Sequence, residues 1–158
     1  MYISTGPHNM RDINYMNIAA RKAKSSFCGR SRCGSIIVKD YNIIGQGHNS
    51  MPGNVCGTCF KDTLPSNFKS DKTCCIHAEQ RAIMDALSKY PKDIIGSTLY
   101  FVRINNKGEI LKAGKPYCTI CSKMVLDVGI AEFVLWHEKG ITVYDTKEYN
   151  DLSFQYVP

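Results

Sequence analysis

Apolar side chains return at helical intervals over residues 11–26, where Ile13, Met16, Ile18, Ala19 and Ala20 fall on one side of a 3.6-residue repeat. The spacing predicts an amphipathic helix, closed by the glycine-bearing segment 28–34. The period then changes: residues 35–40 and 42–49 are rich in β-branched side chains and read as two hairpin strands turning at Asp40, Tyr41 and Asn42. Residues 77–90 carry Ala78, Ala82, Ile83 and Ala86 among polar positions, the clearest helix, which Pro91 stops. A strand over 97–104, a turn at 105–109, a helix over 119–128 ending at Gly129 and a strand over 131–136 follow. The remaining tail has room for one more short strand or helix. Residues 50–73, rich in Gly, Pro, Asn, Ser, Lys and Cys, form a loop of a length that is uncommon unless functional or tied down. No repeat, heptad or low-complexity block interrupts this order. Helix, hairpin, helix, strand, helix, strand predicts an α/β fold with helices on the faces of a sheet.

Composition narrows the class. A chain of 158 residues, 44% hydrophobic and 22% charged, fits a single globular domain spanning residues 1–158, with 50–75 as a cysteine-rich insertion. No apolar run approaches the ~20 residues needed to cross a bilayer. The first residues lack the charged start and apolar block of a secretory signal, so the expected location is the cytoplasm. A net charge of +6 suits a small anionic partner such as a nucleotide, and does not call for a polynucleotide. Arg30 and Arg32, in the densest basic stretch, either meet a phosphate or are simply solvated. Eight cysteines in a reducing compartment, with close pairs at Cys56/Cys59 and Cys118/Cys121, point to metal binding, and to zinc in particular.

The C-x-x-C spacing of Cys118 and Cys121 lets two thiolates reach one zinc ion at a loop-to-helix junction, while His77 opens the other strong helix. Helix starts favour thiolate over thiol through their free N–H groups and positive dipole end. Three protein ligands leave a fourth tetrahedral position for water, whose pKa zinc lowers. Glu79 lies two residues beyond His77, too far round the helix to compete for the metal. Its carboxylate fits a proton shuttle beside the ion.

An H-x-E followed by P-C-x-x-C is the signature of zinc nucleobase deaminases. Through HAE at 77–79, KPYCTIC at 115–121 and GHN at 47–49, the chain resembles the cytidine and deoxycytidylate deaminase superfamily over residues 10–136. The resemblance implies a three-layer α-β-α domain with a central mixed sheet of four to five strands. It also implies His77, Cys118 and Cys121 as zinc ligands and Glu79 as proton shuttle. Asn49 would contact the sugar or base, and Ala78 would meet the base through its backbone.

Within the superfamily the chain looks most like deoxycytidylate deaminases, which implies conversion of dCMP to dUMP with release of ammonia. Relatives commonly assemble into dimers or hexamers, so a homo-oligomer is expected. Three departures stand out. His48 and Ser50 replace the Tyr and final Gly of a Gly-Tyr-Asn-Gly segment tied to allosteric nucleotide binding in those enzymes. Tyr117 separates Pro116 from Cys118, where it either stacks on a pyrimidine or packs beside the proline. The tail is short, leaving little room for a final helix and strand. Asn49 also has a plain alternative as a turn residue after a strand.

The other cysteines allow two readings. Cys56, Cys59 and one of Cys74 or Cys75, with a fourth ligand from Cys28, Cys33 or His48, could form a second, closed structural zinc site that orders the long loop. Alternatively they are small buried hydrophobes. Rival functions are a nucleoside cytidine deaminase, a riboflavin-pathway deaminase, a guanine deaminase, an RNA-directed base editor and a non-catalytic zinc module. Glu79 argues against the last, because a purely structural site has no use for a carboxylate there.

Overall fold

The computed structural model describes residues 1–55, 65 and 75–157. Helix α1 spans Gly6–Ala23, five residues earlier at its start than the apolar repeat predicts, because Pro7 suits the first helical turn. Its buried stripe is Tyr15, Met16, Ala19, Ala20 and Ala23. Strands β2 (Arg32–Lys39) and β3 (Asn42–His48) form the expected hairpin. Its turn residues Asp40 and Tyr41 have φ of +46° and +67°, the left-handed pair that matches strand twist in a two-residue loop. Helix α2 covers Ala78–Lys89, strand β4 Thr98–Ile104 and helix α3 Thr119–Asp127. Between the last two lies a short strand, β5 (Ile110–Leu111), reached through a turn in which the Asn105 side chain accepts from the Lys107 and Glu109 amides.

The tail holds more than the sequence reading allowed. The strand expected over 131–136 is β6 (Glu132–His137), and the tail beyond it supplies both strand β7 (Gly140–Asp145) and helix α4 (Thr146–Gln155), whose first amides are capped by Asp145. The expectation of a single further element, with little room for both strand and helix, is therefore corrected. A two-residue strand at the start, β1 (Tyr2–Ile3), pairs with β7.

The sheet has seven strands rather than four to five, ordered β1-β7-β6-β4-β2-β3, with β5 paired to β4 off that path. The extra strands are β1, β5 and β7. β6 runs parallel to β4 only over Thr98–Tyr100, which frees the end of β4 at Arg103 and Ile104 to pair with β5. All other pairings are antiparallel, so the sheet is mixed.

Alternate side chains enter two cores. Ile36, Val38, Tyr100, Val102, Val134 and Val143 pack against α1. Ile37, Leu99, Phe133 and Leu135 pack on the other face with Ala82, Ile83 and Ala86 of α2, Val125 of α3 and Tyr149 of α4. That is a three-layer α-β-α arrangement, and strands covered on both faces read as near-continuous apolar runs. Close approach is enforced by glycine: a Cβ on Gly45 would stand 2.4 Å from the Ala82 carbonyl oxygen, and one on Gly47 2.4 Å from that of Ala78. Helix α2 therefore lies directly on the β3 backbone. No helix among the described residues is long and apolar enough to cross a membrane.

Candidate metal centre and active site

Topology brings the site together. Strand β2 is antiparallel to both β3 and β4, and β6 is parallel to β4, so β3, β4 and β6 all run the same way. The connections β3-α2-β4 and β4-α3-β6 are thus parallel crossovers, and both helices pack in the same core. Both begin beyond the carboxyl ends of their strands, where open α/β sheets place their ligands. His77 is the N-cap residue of α2 and Cys118 that of α3, with Cys121 in the first turn. The approach to His77 is held by backbone hydrogen bonds between Ser50 and Ile76 at 2.9 and 3.3 Å, and by the Gln80 side chain, which accepts from the His77 amide at 2.9 Å.

His77 Nδ1 lies 3.2 Å from Cys121 Sγ and 3.4 Å from Cys118 Sγ, and the three potential ligand atoms are all within 4.8 Å of one another. Tetrahedral zinc with bonds of about 2.3 Å to sulfur and 2.0 Å to nitrogen sets N and S roughly 3.6 Å apart. The donor set and its spacing therefore fit that ion to within a few tenths of an ångström. Among the described residues, this is the one converging group of three such side chains. Cys121 is fully buried while His77 and Cys118 are half-buried, so the group is approached from one side.

The charges suit a cation. A hydrogen bond from the Cys121 thiol, assisted by His77, holds Cys118 down at about 4 against the opposing effect of burial. Cys121 is pushed well up by that same bond and by burial. Glu79 lies against this group without joining it: its side chain is 5% exposed, and burial together with the Cys118 charge pushes its carboxyl up to about 7.

The remaining predicted residues take more mixed positions. Ala78 is buried and opens α2, where backbone N–H groups have no partner inside the helix. Asn49 is buried, and its amide is partly engaged: Oδ1 accepts from the Cys33 amide and Nδ2 donates to the Ser31 carbonyl, both at 2.8 Å. It clamps the start of β2 to the end of β3 and, among the described residues, keeps one N–H and one lone pair in reserve. Tyr117 is 64% exposed, with its ring 5.8 Å from that of Tyr156. It is not a core residue beside Pro116. Arg32 donates to the Asn105 carbonyl at 2.7 Å, while Arg30 is exposed.

For the second zinc, Cys56, Cys59 and Cys74 lie outside the described residues. No three of Cys28, Cys33, His48 and Cys75 converge among the described residues.

Two neighbours of the site carry no motif. Tyr149 of α4 is buried and stacked on Phe133 with centroids 3.8 Å apart; burial raises its phenol, with Glu79, Cys118 and Cys121 adding to the effect. Cys33 sits in reach of Glu79, its thiol pushed up to about 12 by burial. Their signal in the sequence is only their place in the strand and helix periods.

The family profile described as the cytidine and deoxycytidylate deaminase zinc-binding region matches residues 10–137. The chain belongs to this family. Among curated relatives of this deaminase, the deoxycytidylate deaminase of Mycobacterium phage D29 is 32% identical over 132 residues, covering 78% of this chain and 91% of that one. The deoxycytidylate deaminase of Saccharomyces cerevisiae is 29% identical over 78% of this chain, which spans only 36% of the yeast protein. Among solved structures, the dCMP deaminase from cyanophage S-TIM5, in complex with dCMP and dUMP, is 25% identical. It superposes with a TM-score of 0.59 over 82% of each chain. Cytidine deaminase from Burkholderia pseudomallei shares the fold alone, with a TM-score of 0.58 at 14% identity over 87% of this chain and 94% of that one.

Proposed function

We propose that this zinc-dependent deaminase converts deoxycytidylate and water to deoxyuridylate and ammonia. The observation that carries the reading is the buried Glu79 carboxyl set against the converging His77, Cys118 and Cys121 side chains. The choice of substrate is supported by the similarity to phage deoxycytidylate deaminases, including one solved with dCMP and dUMP.

His77, Cys118 and Cys121 would hold zinc. When bound, the ion supplies Lewis acidity that brings the pKa of a water toward neutrality. Glu79 carries the protons: it accepts one from the water, delivers it to ring nitrogen N3, and later protonates the departing amine at C4. A carboxyl held near neutrality suits both directions of transfer. The first-turn amide of Ala78 and the remaining N–H of Asn49 orient base and sugar.

The test is Glu79→Gln, read by ammonia release from dCMP and by zinc content. Turnover should fall by at least about a thousandfold, with metal stoichiometry unchanged. A variant that still deaminates at the parent rate would show that Glu79 is not the proton carrier.

A further inference from the structure

Side chains of β4 alternate between the two cores. Tyr100, Val102 and Ile104 enter the α1 layer, whereas Leu99 and Phe101 enter the layer of α2, α3 and α4. Arg103 continues the second series at the carboxyl end of the strand, on the face and at the end of the sheet where the candidate site lies. In register it stands opposite Cys33 on β2, and pairing of its backbone with Leu111 of β5 holds it on a rigid element. Cys33 is within electrostatic reach of both Arg103 and Glu79, and Tyr117 at the rim feels the same two charges.

Arg103 is exposed, and among the described residues no carboxylate pairs with it and no hydrogen bond occupies it. Arg32, by contrast, is engaged by a loop carbonyl. A nucleotide with its amino group at Glu79 carries its only permanent charge at the far end of the molecule, so a cation that meets it must lie outside the metal group, as Arg103 does. A guanidinium is the side chain best matched to a phosphate, through two parallel charged hydrogen bonds.

We propose that Arg103 binds the 5′-phosphate of the nucleotide and sets the preference of the site for a monophosphate over a nucleoside. This rests on the deaminase reading above.

The experiment measures kcat/KM for dCMP and for deoxycytidine with the zinc-loaded protein and with Arg103→Met and Arg103→Lys. The parent should favour dCMP. Arg103→Met should lower the dCMP-to-deoxycytidine ratio of kcat/KM by roughly ten- to a hundredfold, mainly through KM for dCMP. Arg103→Lys should recover part of the ratio, since an ammonium keeps the charge and loses the fork. A parent that turns over both substrates with no preference for dCMP overturns the inference and leaves the deaminase standing. A Met variant with an unchanged ratio does the same, whatever its overall rate. A parent inactive on both substrates sinks the deaminase reading itself, and Arg103's role with it.

Discussion

Replacing Gly47 by alanine tests whether the contact between β3 and α2 sets the geometry of the metal centre. The new Cβ would fall 2.4 Å from the Ala78 carbonyl oxygen and 2.5 Å from the Ala82 amide nitrogen. Cβ atoms in proteins essentially never come closer than 3.0 Å to such neighbours, so strand and helix must separate by roughly 0.6 Å. Ala78 lies between His77 and Glu79, and the displacement passes straight into the proposed ligand and proton carrier. Cys118 and Cys121, on α3, stay where they are. Overpacking of this kind costs roughly 1–3 kcal/mol. For a domain of this size each kcal/mol lowers Tm by about 2–4 °C. A sub-ångström misplacement of the reacting groups should also cost roughly ten- to a hundredfold in kcat. Gly45→Ala is the control, because its Cβ meets the Ala82 carbonyl oxygen at the same 2.4 Å but one turn farther from His77. Thermal melts, zinc competition against a chromogenic chelator and dCMP turnover should show matched losses of Tm in the two variants. Zinc affinity and kcat should fall more in Gly47→Ala. If Gly47→Ala melts and turns over like the parent, or if the two variants lose zinc equally, the packing argument fails.

Other perturbations probe other parts. Asn49→Ala leaves the Cys33 amide without its acceptor and should lower stability by about 1–3 kcal/mol, measured by urea denaturation; an unchanged midpoint would show that the clamp carries no stability. Cys121→Ser should abolish stoichiometric zinc binding, and a chelator that lowers the Tm of the parent should leave this variant unmoved. Tyr100→Phe removes the hydroxyl that donates to buried Asp12 at 2.8 Å and should cost about 1–3 kcal/mol while sparing zinc content. His48 is held below its ordinary pKa by burial and by the Lys22 and Arg81 charges. The unfolded chain therefore takes up this proton first as pH falls, and stability drops as pH goes down through 6.5 toward the lower folded value. Melts between pH 7 and 5 should show a shallower decline for His48→Gln, and equal slopes would count against this assignment.

What the sequence disclosed follows from how far each signal reaches along the chain. Helix α2 was legible because Ala78, Ala82, Ile83 and Ala86 repeat within one segment. His77, Glu79, Cys118 and Cys121 were legible because their spacing encodes chemistry locally. Strands β1 and β5, two residues each, are too short to show a period and exist only through their ladder partners. Strand β7 and helix α4 did leave traces, in the turn at Gly140 and the capping Asp145, but a tail of mixed polarity hid them. Tyr149 and Arg103 depend on long-range stacking and strand register, which no local window contains. The clamp made by Asn49 joins the end of β3 to the start of β2, 16 to 18 residues earlier in the sequence, so only the folded backbone reveals it.

The two crossovers that bring His77 to Cys118 and Cys121 would give the molecule a built-in gauge of its own integrity. With His77 on α2 and the two cysteines on α3 as the proposed ligands, neither helix alone would retain zinc, and undocking either from the sheet should release it. Liberation of zinc into a coloured chelator should then track loss of the whole three-layer packing, in a single readout that needs neither substrate nor label.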